Sequence, residues 1–500
     1  MLQAVTTRLR SLPSNQLINY LLLSFFLVLG SYLRIKNLDL QSLWYDELFS
    51  VIHSSLPSLS DTYRSFWEET NPPLHGLILH SWIQIFSNSV HSVRGLSVLF
   101  GIINLSYLGY IAYKEKSQRY VYSFILFSVS FGAIYYSQEA RAYSLLMLLS
   151  SILTIYFLKL LSFSKEEDRR ESVKNWSVFL ITGTLASYTH YFGFLFLGHL
   201  YLLMTVHFII SKKNKELIVT LLLGALQILL FSPELYKIAF ILPYSTRINW
   251  VPETGVFVYF EILNYTFYLM PYKGLPIVVL VPVAFLAYLL FQSKHFKTFF
   301  SAKENSKLSM EAVYLFSLIV LFLTSTALVS IYKPILTGRN LLVLSFPAIL
   351  LVSLLIESAK ILRPTNKLVI VSCFAVFFAS SISKGYYKPF KMHYKQSLVM
   401  IMTEAKEGEK VYSHSFQEFY DYYPSVLENP KQIHVENFPK KNGNFDWKKL
   451  DELKPKERIF LIDAEIHGTF QKKELSEIKK RVSRMDTIPV FGINIFILTK

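Results

Sequence analysis

Apolar residues along the chain are grouped in runs that are long enough to cross a lipid bilayer. A transmembrane helix needs about 17–25 predominantly apolar residues, and about eleven runs approach or exceed that length. These runs lie at 17–34, 92–113, 120–137, 141–161, 176–190, 192–210, 216–232, 273–292, 310–332, 339–357 and 367–383. The pattern therefore predicts a mainly α-helical, polytopic membrane protein with about eleven spans.

The pattern changes near Lys384, where lysines and acidic residues become frequent. Short apolar segments typical of strands alternate there with helix-like stretches. The strands are predicted at 411–412, 432–435, 458–463 and 491–498, and the helices at 396–406, 416–427, 444–453 and 470–483. Such alternation is typical of an α/β domain. We therefore expect a transmembrane module over 1–383 and a small soluble α/β domain over 384–500.

The first polar stretch, 35–91, contains two short amphipathic segments. The sequence Ser58-Leu59-Ser60-Asp61 resembles a capping box, which predicts the start of a helix. One face of this helix would carry Leu59, Tyr63, Phe66 and Trp67. Asn71-Pro72-Pro73 must end it, because proline has no backbone N–H and restricts the residue before it. We therefore predict an outer loop with interfacial helices, the second of which runs from Leu74 to Phe86.

Positive charge is concentrated in the short loops between the apolar runs, and the chain has a net charge of +16. The basic loops are 114–119, 162–175, 211–216, 293–309 and 358–367. All of them fall on the cytoplasmic side if the N-terminus is cytoplasmic. The loop 35–91 and the C-terminal domain are then extracytoplasmic. Membrane orientation thus explains the charge, and no basic–aromatic array indicates a nucleic-acid partner.

The stretch 233–272 is too polar up to Glu253 to be a span. Its aromatic second half is typical of an interfacial or re-entrant segment. A further span is the alternative, and it would invert the orientation of everything downstream.

Two adjacent carboxylates, Asp46 and Glu47, lie just beyond the first apolar run. Acidic residues beside a membrane are costly to bury and are usually functional. The alternative is that they are solvated charges at the start of a helix, where the helix dipole favours acids. Tyr45 precedes the pair, and His75 follows the double proline.

Other candidate residues lie at the predicted outer ends of later spans. Glu139 and Arg141 occupy a tight turn, His190 occupies another, and Arg339 begins a span. Each has a simpler explanation: an exposed charged turn, a hydrogen-bonded packing histidine or an interfacial charge. Together they place carboxylates, arginines and a histidine on one side of the membrane, as a site for a phosphorylated lipid requires.

These residues belong to short motifs. The motifs are Leu43-Trp44-Tyr45-Asp46-Glu47, Asn71-Pro72-Pro73-Leu74, Ser137-Gln138-Glu139-Ala140-Arg141-Ala142-Tyr143-Ser144, Thr189-His190-Tyr191 and Gly338-Arg339-Asn340-Leu341-Leu342. The set resembles the bacterial GT-C membrane glycosyltransferases, and more closely the family 39 type related to protein O-mannosyltransferases and the lipid A aminoarabinose transferase. The resemblance covers residues 15–385 in layout. It implies a GT-C fold and a polyprenyl-phosphate sugar as the donor.

The resemblance also makes Asp46 the catalytic residue, which would accept the proton of an acceptor hydroxyl as a general base. Charge that develops on the donor phosphate needs cations, for which the arginines are the candidates. A divalent cation, held by oxygen ligands and His190, is an alternative source of part of this charge. The candidate catalytic residues are Asp46, Glu47 and Glu139, and the candidate substrate-binding residues are Arg141, Arg339, Tyr45, His75 and His190.

A flippase or transporter for a lipid-linked sugar is the main alternative function. Transporters tend to carry inverted repeats and helices interrupted near the midplane, and this sequence shows neither. An O-antigen ligase or polymerase would share the substrate and topology class, but it would not require the early Asp–Glu pair. The sequence therefore favours a transferase of the inner (cytoplasmic) membrane that acts on a lipid, glycan or protein acceptor.

Overall fold

The computed structural model describes residues 14–162, 169–241, 258, 307–358, 363–386, 391–413, 420, 422–423, 427, 433–441, 444–464 and 470–500. The run at 273–292, most of the stretch 233–272 and most of the predicted helix 416–427 lie outside these residues. The chain divides into two compact units. Unit 1 comprises Met1–Lys36, Ser58–Ile78 and Arg94–Gly385, and unit 2 comprises Asn37–Pro57, Leu79–Val93 and Tyr386–Lys500.

Helices dominate the first part of the chain. In chain order they are α1 (Ser14–Ile35), α2 (Tyr45–Ser54), α3 (Leu59–Trp67), α4 (Leu74–Phe86), α5 (Val90–Glu115), α6 (Gln118–Ser128), α7 (Phe131–Tyr135), α8 (Tyr143–Leu161), α9 (Arg169–Thr189), α10 (Tyr191–Ile210), α11 (Asn214–Leu230), α12 (Ser232–Tyr236), α13 (Lys307–Tyr332), α14 (Ser345–Ser358) and α15 (Pro364–Tyr386). Short 3₁₀ segments, Tyr136–Gln138 and Gly338–Leu344, precede α8 and α14.

The described residues contain six helices, or up to eight, that are long and apolar enough to cross a membrane. The range arises because two further spans are counted if each of two bent pairs of helical segments is one span. Helix α6 and the segment Phe131–Gln138 meet at a bend of 57°, and α11 and the segment Ser232–Ile241 meet at a bend of 62°. The protein is therefore a multi-pass membrane protein, as predicted, but the count of eleven spans is not confirmed. Helix α9 is not among them, because polar residues along its length make it only weakly apolar, and the apolar part of α15 is short.

Helix α8 is the core of unit 1. It is apolar on all sides and buried along most of its length, and it packs against α9, α10 and α14. A helix of this kind lies inside a protein and not at its surface. Helix α1 differs, because it exposes Leu21, Phe25 and Val28. In a membrane protein such apolar side chains contact lipid.

A buried arginine stabilises the break between α6 and α7. The guanidinium of Arg34, fully buried on α1, donates hydrogen bonds to the carbonyl oxygens of Ser128 (3.0 Å) and Phe127 (3.3 Å). Helix ends leave such carbonyls without intrahelical donors. On the far side of the break, the Gln138 amide nitrogen lies 3.0 Å from the carbonyl of Arg34 and 2.8 Å from that of Lys36. These bonds fix the turn that leads into α8.

A buried ion pair lies at the break between α11 and α12, where Pro233 occupies the first turn. Lys237 and Glu234 are both fully buried, with 3.7 Å between Nζ and Oε2. The Tyr191 hydroxyl donates to the same carboxylate oxygen at 2.8 Å. The ammonium donates to the carbonyls of Phe66 (2.9 Å) and Asn71 (3.1 Å). Lys237 therefore joins this break to the end of α3 and to the double-proline turn.

The C-terminal part of unit 2 is an α/β domain, as predicted. Its elements are α16 (Tyr394–Glu404), β1 (Lys410–Ser413), β2 (Val435–Asn437), β3 (Lys440–Lys441), β4 (Asn444–Phe445), α17 (Lys448–Asp451), β5 (Arg458–Ala464), α18 (Lys472–Arg481), β6 (Arg484–Val490) and β7 (Ile493–Thr499). The main sheet has the order β2-β1-β5-β7-β6. Strand β1 is parallel to β2 and β5, whereas β7 is antiparallel to β5 and β6. Tyr412, Ile459, Ile478 and Leu498 contribute to its core.

Candidate functional site

The predicted carboxylate pair lies at the start of α2, in unit 2. Asp46 and Glu47 are both in the first turn, where the helix dipole stabilises negative charge. Glu47 is fully buried and its carboxylate accepts a hydrogen bond from the backbone N–H of Trp44 at 3.4 Å. Asp46 and Tyr45 are partly exposed. Both carboxylates thus lie at a helix start, but Glu47 is not the solvated charge that the alternative explanation requires, whereas Asp46 keeps access to solvent.

Glu47 also forms an ion pair that the sequence did not suggest. The ammonium of Lys391 lies 3.2 Å from its Oε2 atom, and both side chains are buried. The same ammonium lies 5.7 Å from the centre of the Trp44 ring, a cation–π distance. A lysine just after the last apolar run carries no local signal of this role, because its partner is 344 residues away in the sequence.

Glu139 and Arg141 lie in the turn before α8, in unit 1. The backbone N–H of Arg141 donates to the carbonyl of Glu139 at 2.7 Å, which makes the turn tight. The Ser144 hydroxyl donates to the carbonyl of Ser97 at 2.7 Å and so attaches the start of α8 to α5. Glu139 is only 1% exposed, so the exposed-turn explanation fails for this residue. A buried carboxylate next to an arginine is a candidate for function.

His190 is the N-cap of α10. Its Nδ1 atom accepts a hydrogen bond from the backbone N–H of Phe192 at 3.2 Å, so in the neutral imidazole the proton lies on Nε2. Burial, together with the charges of Arg141 and Arg339, lowers the pKa of His190 to about 3. The histidine is therefore neutral at physiological pH. Close packing supports this geometry, because a Cβ at Gly193 would overlap the carbonyl oxygen of Ala186 at the end of α9.

Tyr143 lies close to both His190 and Arg339. Its ring centre is 5.6 Å from that of His190, and the Arg339 guanidinium carbon lies 6.0 Å from the same ring centre. At this distance a guanidinium group is attracted by the face of an aromatic ring. Tyr143 belongs to one of the motifs, but its sequence gave no reason to include it among the site residues.

His75, in the first turn of α4, is the second buried histidine near Arg141. Burial and, to a smaller extent, the charge of Arg141 lower its pKa to about 3. Its Nε2 atom is buried and has no hydrogen-bond partner within the described part of the chain. A buried polar atom of this kind needs an explanation, and a ligand that hydrogen-bonds to it is one.

Unit 1 thus brings together five of the residues discussed so far. Arg141 acts electrostatically on both His75 and His190, and Arg339 acts on His190 and lies over Tyr143. Because the imidazoles are neutral, the positive charge of this cluster comes from the two guanidinium groups. Such a pair favours an anion, and arginine forks match phosphate oxygens. Asp46, Glu47 and Tyr45 belong to unit 2.

A metal site would require several donor side chains close together. Within the described ranges, no group of three His, Cys, Asp or Glu side chains is placed to hold a metal ion. The Nδ1 atom of His190 is already engaged as a helix cap.

No protein-family model and no curated relative matches the chain. Among solved structures, ArnT from Cupriavidus metallidurans bound to undecaprenyl phosphate aligns with a TM-score of 0.57, over 95% of this chain and 97% of that chain, at 11% identity. The chain shares the GT-C fold of ArnT. The apo structure of ArnT aligns over the same shares with a TM-score of 0.46 at 10% identity. ArnT is a lipid A aminoarabinose transferase. The alignment with its undecaprenyl phosphate-bound structure confirms the GT-C fold that was expected from the motifs.

Proposed function

We propose that this protein is an integral-membrane glycosyltransferase. It moves a sugar from a polyprenyl-phosphate donor to an acceptor on the outer face of the cytoplasmic membrane. The observation that carries this function is the pair of arginines beside the buried His190, with the Arg339 guanidinium carbon 6.0 Å from the Tyr143 ring centre, in a fold shared with ArnT, whose structure holds undecaprenyl phosphate. The C-terminal domain is extracytoplasmic in this scheme.

Asp46 is the general base of the reaction. The acceptor hydroxyl oxygen attacks the anomeric carbon of the sugar and forms the new glycosidic bond. The bond between that carbon and the phosphate oxygen breaks, and polyprenyl phosphate leaves with its electron pair. The hydroxyl proton passes to the Asp46 carboxylate, which is partly exposed and so can meet an acceptor.

The arginines stabilise the leaving group. Negative charge on the phosphate grows as the carbon–oxygen bond breaks, and preorganised guanidinium groups lower the energy of that state. Tyr143 supports Arg339 by a cation–π contact. The neutral histidines are suited to hydrogen bonding and not to charge pairing: His190 presents a donor at Nε2, and His75 has a buried Nε2 atom for a ligand.

We assign supporting roles to the other candidate residues, each within its own unit. Glu47 orients the turn that carries Asp46, and Glu139 shares the turn of Arg141. Tyr45, next to the base, contacts the sugar or the acceptor. The sugar is a hexose or a pentose, and the acceptor is a lipid, a glycan or a protein.

Purified protein in liposomes tests this function. Vesicles are loaded with a labelled polyprenyl-phosphate sugar, an acceptor is supplied, and both sugar transfer and movement of the donor between leaflets are followed. The transferase yields glycosylated acceptor and free polyprenyl phosphate without donor flipping. Flipping without transfer would identify a transporter instead. Transfer only from a diphosphate-linked oligosaccharide would identify a ligase or polymerase.

A further inference from the structure

Residues of the C-terminal region surround the segment 41–47 that carries the carboxylate pair. Within unit 2, the backbone N–H of Lys391 donates to the side chain of Gln41 at 3.0 Å, and that of Lys395 donates to the Ser42 hydroxyl at 3.1 Å. The Tyr423 hydroxyl donates to the carbonyl of Leu43 at 2.9 Å. The segment that precedes α2 is thus bonded to the chain beyond the last apolar run at several consecutive positions.

The ion pair between Lys391 and Glu47 is the charged member of this set. Both groups are buried, with 7% and 0% of their side chains exposed. A buried ion pair is costly to break, because the remaining charge has no compensation. The Glu47 carboxylate also accepts from the N–H of Trp44, so one side chain joins Lys391 to the first turn of α2. Asp46 is the residue immediately before Glu47 in that turn.

We propose that Lys391 is a positioning residue for Asp46, and that the C-terminal domain serves to fix the catalytic turn. This inference rests on the proposed function of Asp46 as the base. Without the ammonium, Glu47 loses one of its anchors and the first turn of α2 gains freedom. A base that is displaced by about 1 Å can cost about 100-fold in rate. The donor phosphate is bound by other residues, so its affinity should stay unchanged.

The test compares Lys391→Met with Lys395→Met, which removes an exposed lysine at the start of α16. We expect Lys391→Met to lower kcat about 10–100-fold and to leave donor affinity within twofold of the control. Lys391→Arg should restore most of the rate, since it keeps the charge.

Lys391→Met matching Lys395→Met in kcat would overturn the inference, and so would a loss of donor affinity in Lys391→Met as large as its loss of kcat. If Lys391→Met does not fold, the double variant Glu47→Gln/Lys391→Met, which leaves no unpaired charge, replaces it. If Lys391 and Glu47 act through their ion pair, the kcat of the double variant should be no lower than that of Glu47→Gln alone. Additive losses would contradict the positioning role.

Amide hydrogen exchange separates this inference from the proposed function. If the wild-type protein transfers no sugar, the proposed function fails, but the exchange of residues 43–48 still reports on the turn. Exchange that is faster in Lys391→Met than in Lys395→Met supports the role of Lys391. Equal exchange in the two variants rules it out.

Discussion

The Nδ1 atom of His190 accepts a hydrogen bond from the backbone N–H of Phe192 at 3.2 Å, so this histidine begins α10. A protonated imidazole has no acceptor. Protonation would therefore remove the helix cap as well as add a charge beside Arg141 and Arg339. The cap and the arginines favour the same neutral form.

This arrangement predicts how stability depends on pH. The pKa of His190 in the folded state is about 3, below the ordinary value of about 6.5. Between these values the unfolded chain binds a proton that the folded chain does not, so stability falls as pH falls through this window. His190→Asn keeps a capping acceptor and removes the titration. Its unfolding temperature should depend less on pH between about 4 and 6.5.

The control for this measurement is His91→Asn, at a histidine that is 65% exposed. It should follow the wild-type pH dependence. Equal slopes for all three proteins would show that His190 does not stay neutral in the folded state.

The buried pair of Lys237 and Glu234 predicts an asymmetry between single and double variants. Lys237→Met leaves a buried carboxylate uncompensated and removes the donor to the carbonyls of Phe66 and Asn71. Breaking a buried pair in this way costs about 3–5 kcal/mol. The double variant Glu234→Gln/Lys237→Met should be less destabilised than the single one. Thermal unfolding in detergent measures this, with the exposed Lys215→Met as the control. A single variant as stable as the control would refute the role of the pair.

The charge asymmetry of the loops predicts the orientation of the chain. A reporter fused after Lys212 should be cytoplasmic, whereas one fused after Lys500 should be extracytoplasmic. Both fusions are read by a pair of enzymes that are active on opposite sides of the membrane. Reporters on the same side would contradict this topology.

Local patterns predicted most of the elements but not the contacts that join them. The helix predicted at 444–453 is wrong in its first part, where the structure has strand β4, and α17 covers only Lys448–Asp451. The expected helix start at Ser58 is correct, because its hydroxyl accepts from the N–H of Asp61 at 3.1 Å. Strand β6 was missed. It is an edge strand, where the sequence is mixed in polarity and a proline such as Pro489 is tolerated.

Charged residues inside or beside the apolar runs have contacts that the sequence did not predict. Arg34 lies in the first predicted span, yet its guanidinium donates a hydrogen bond to the carbonyl of Ser128, 94 residues further along the chain. This bond stabilises the break between α6 and α7. Nothing in the local sequence distinguishes Lys391 from the other lysines, whereas the structure places its ammonium 3.2 Å from the Glu47 carboxylate. The periodicity of apolar residues indicates which face of a helix is buried. It contains no information about hydrogen-bond or ion-pair partners that are distant in the sequence.

The arginine cluster predicts which variants lose affinity for the lipid phosphate. Arg339→Ala should weaken binding of undecaprenyl phosphate about 10–100-fold, the effect of a hydrogen bond to a charged group. Arg339→Lys should lie in between, because a lysine keeps the charge but not the fork. Binding in nanodiscs measures this, with the exposed Arg363→Ala as the control. Unchanged affinity in Arg339→Ala would remove Arg339 from the phosphate site.

The role of Asp46 as the base is tested most directly by turnover of Asp46→Asn. This variant keeps the size of the side chain and removes the proton acceptor. Sugar transfer should fall by about 10²–10⁴-fold, the usual contribution of general acid–base catalysis. Donor affinity and unfolding temperature should not change, and Asp39→Asn, at a carboxylate that is 59% exposed in the same segment, should transfer sugar normally. Near-normal turnover in Asp46→Asn would contradict the catalytic assignment.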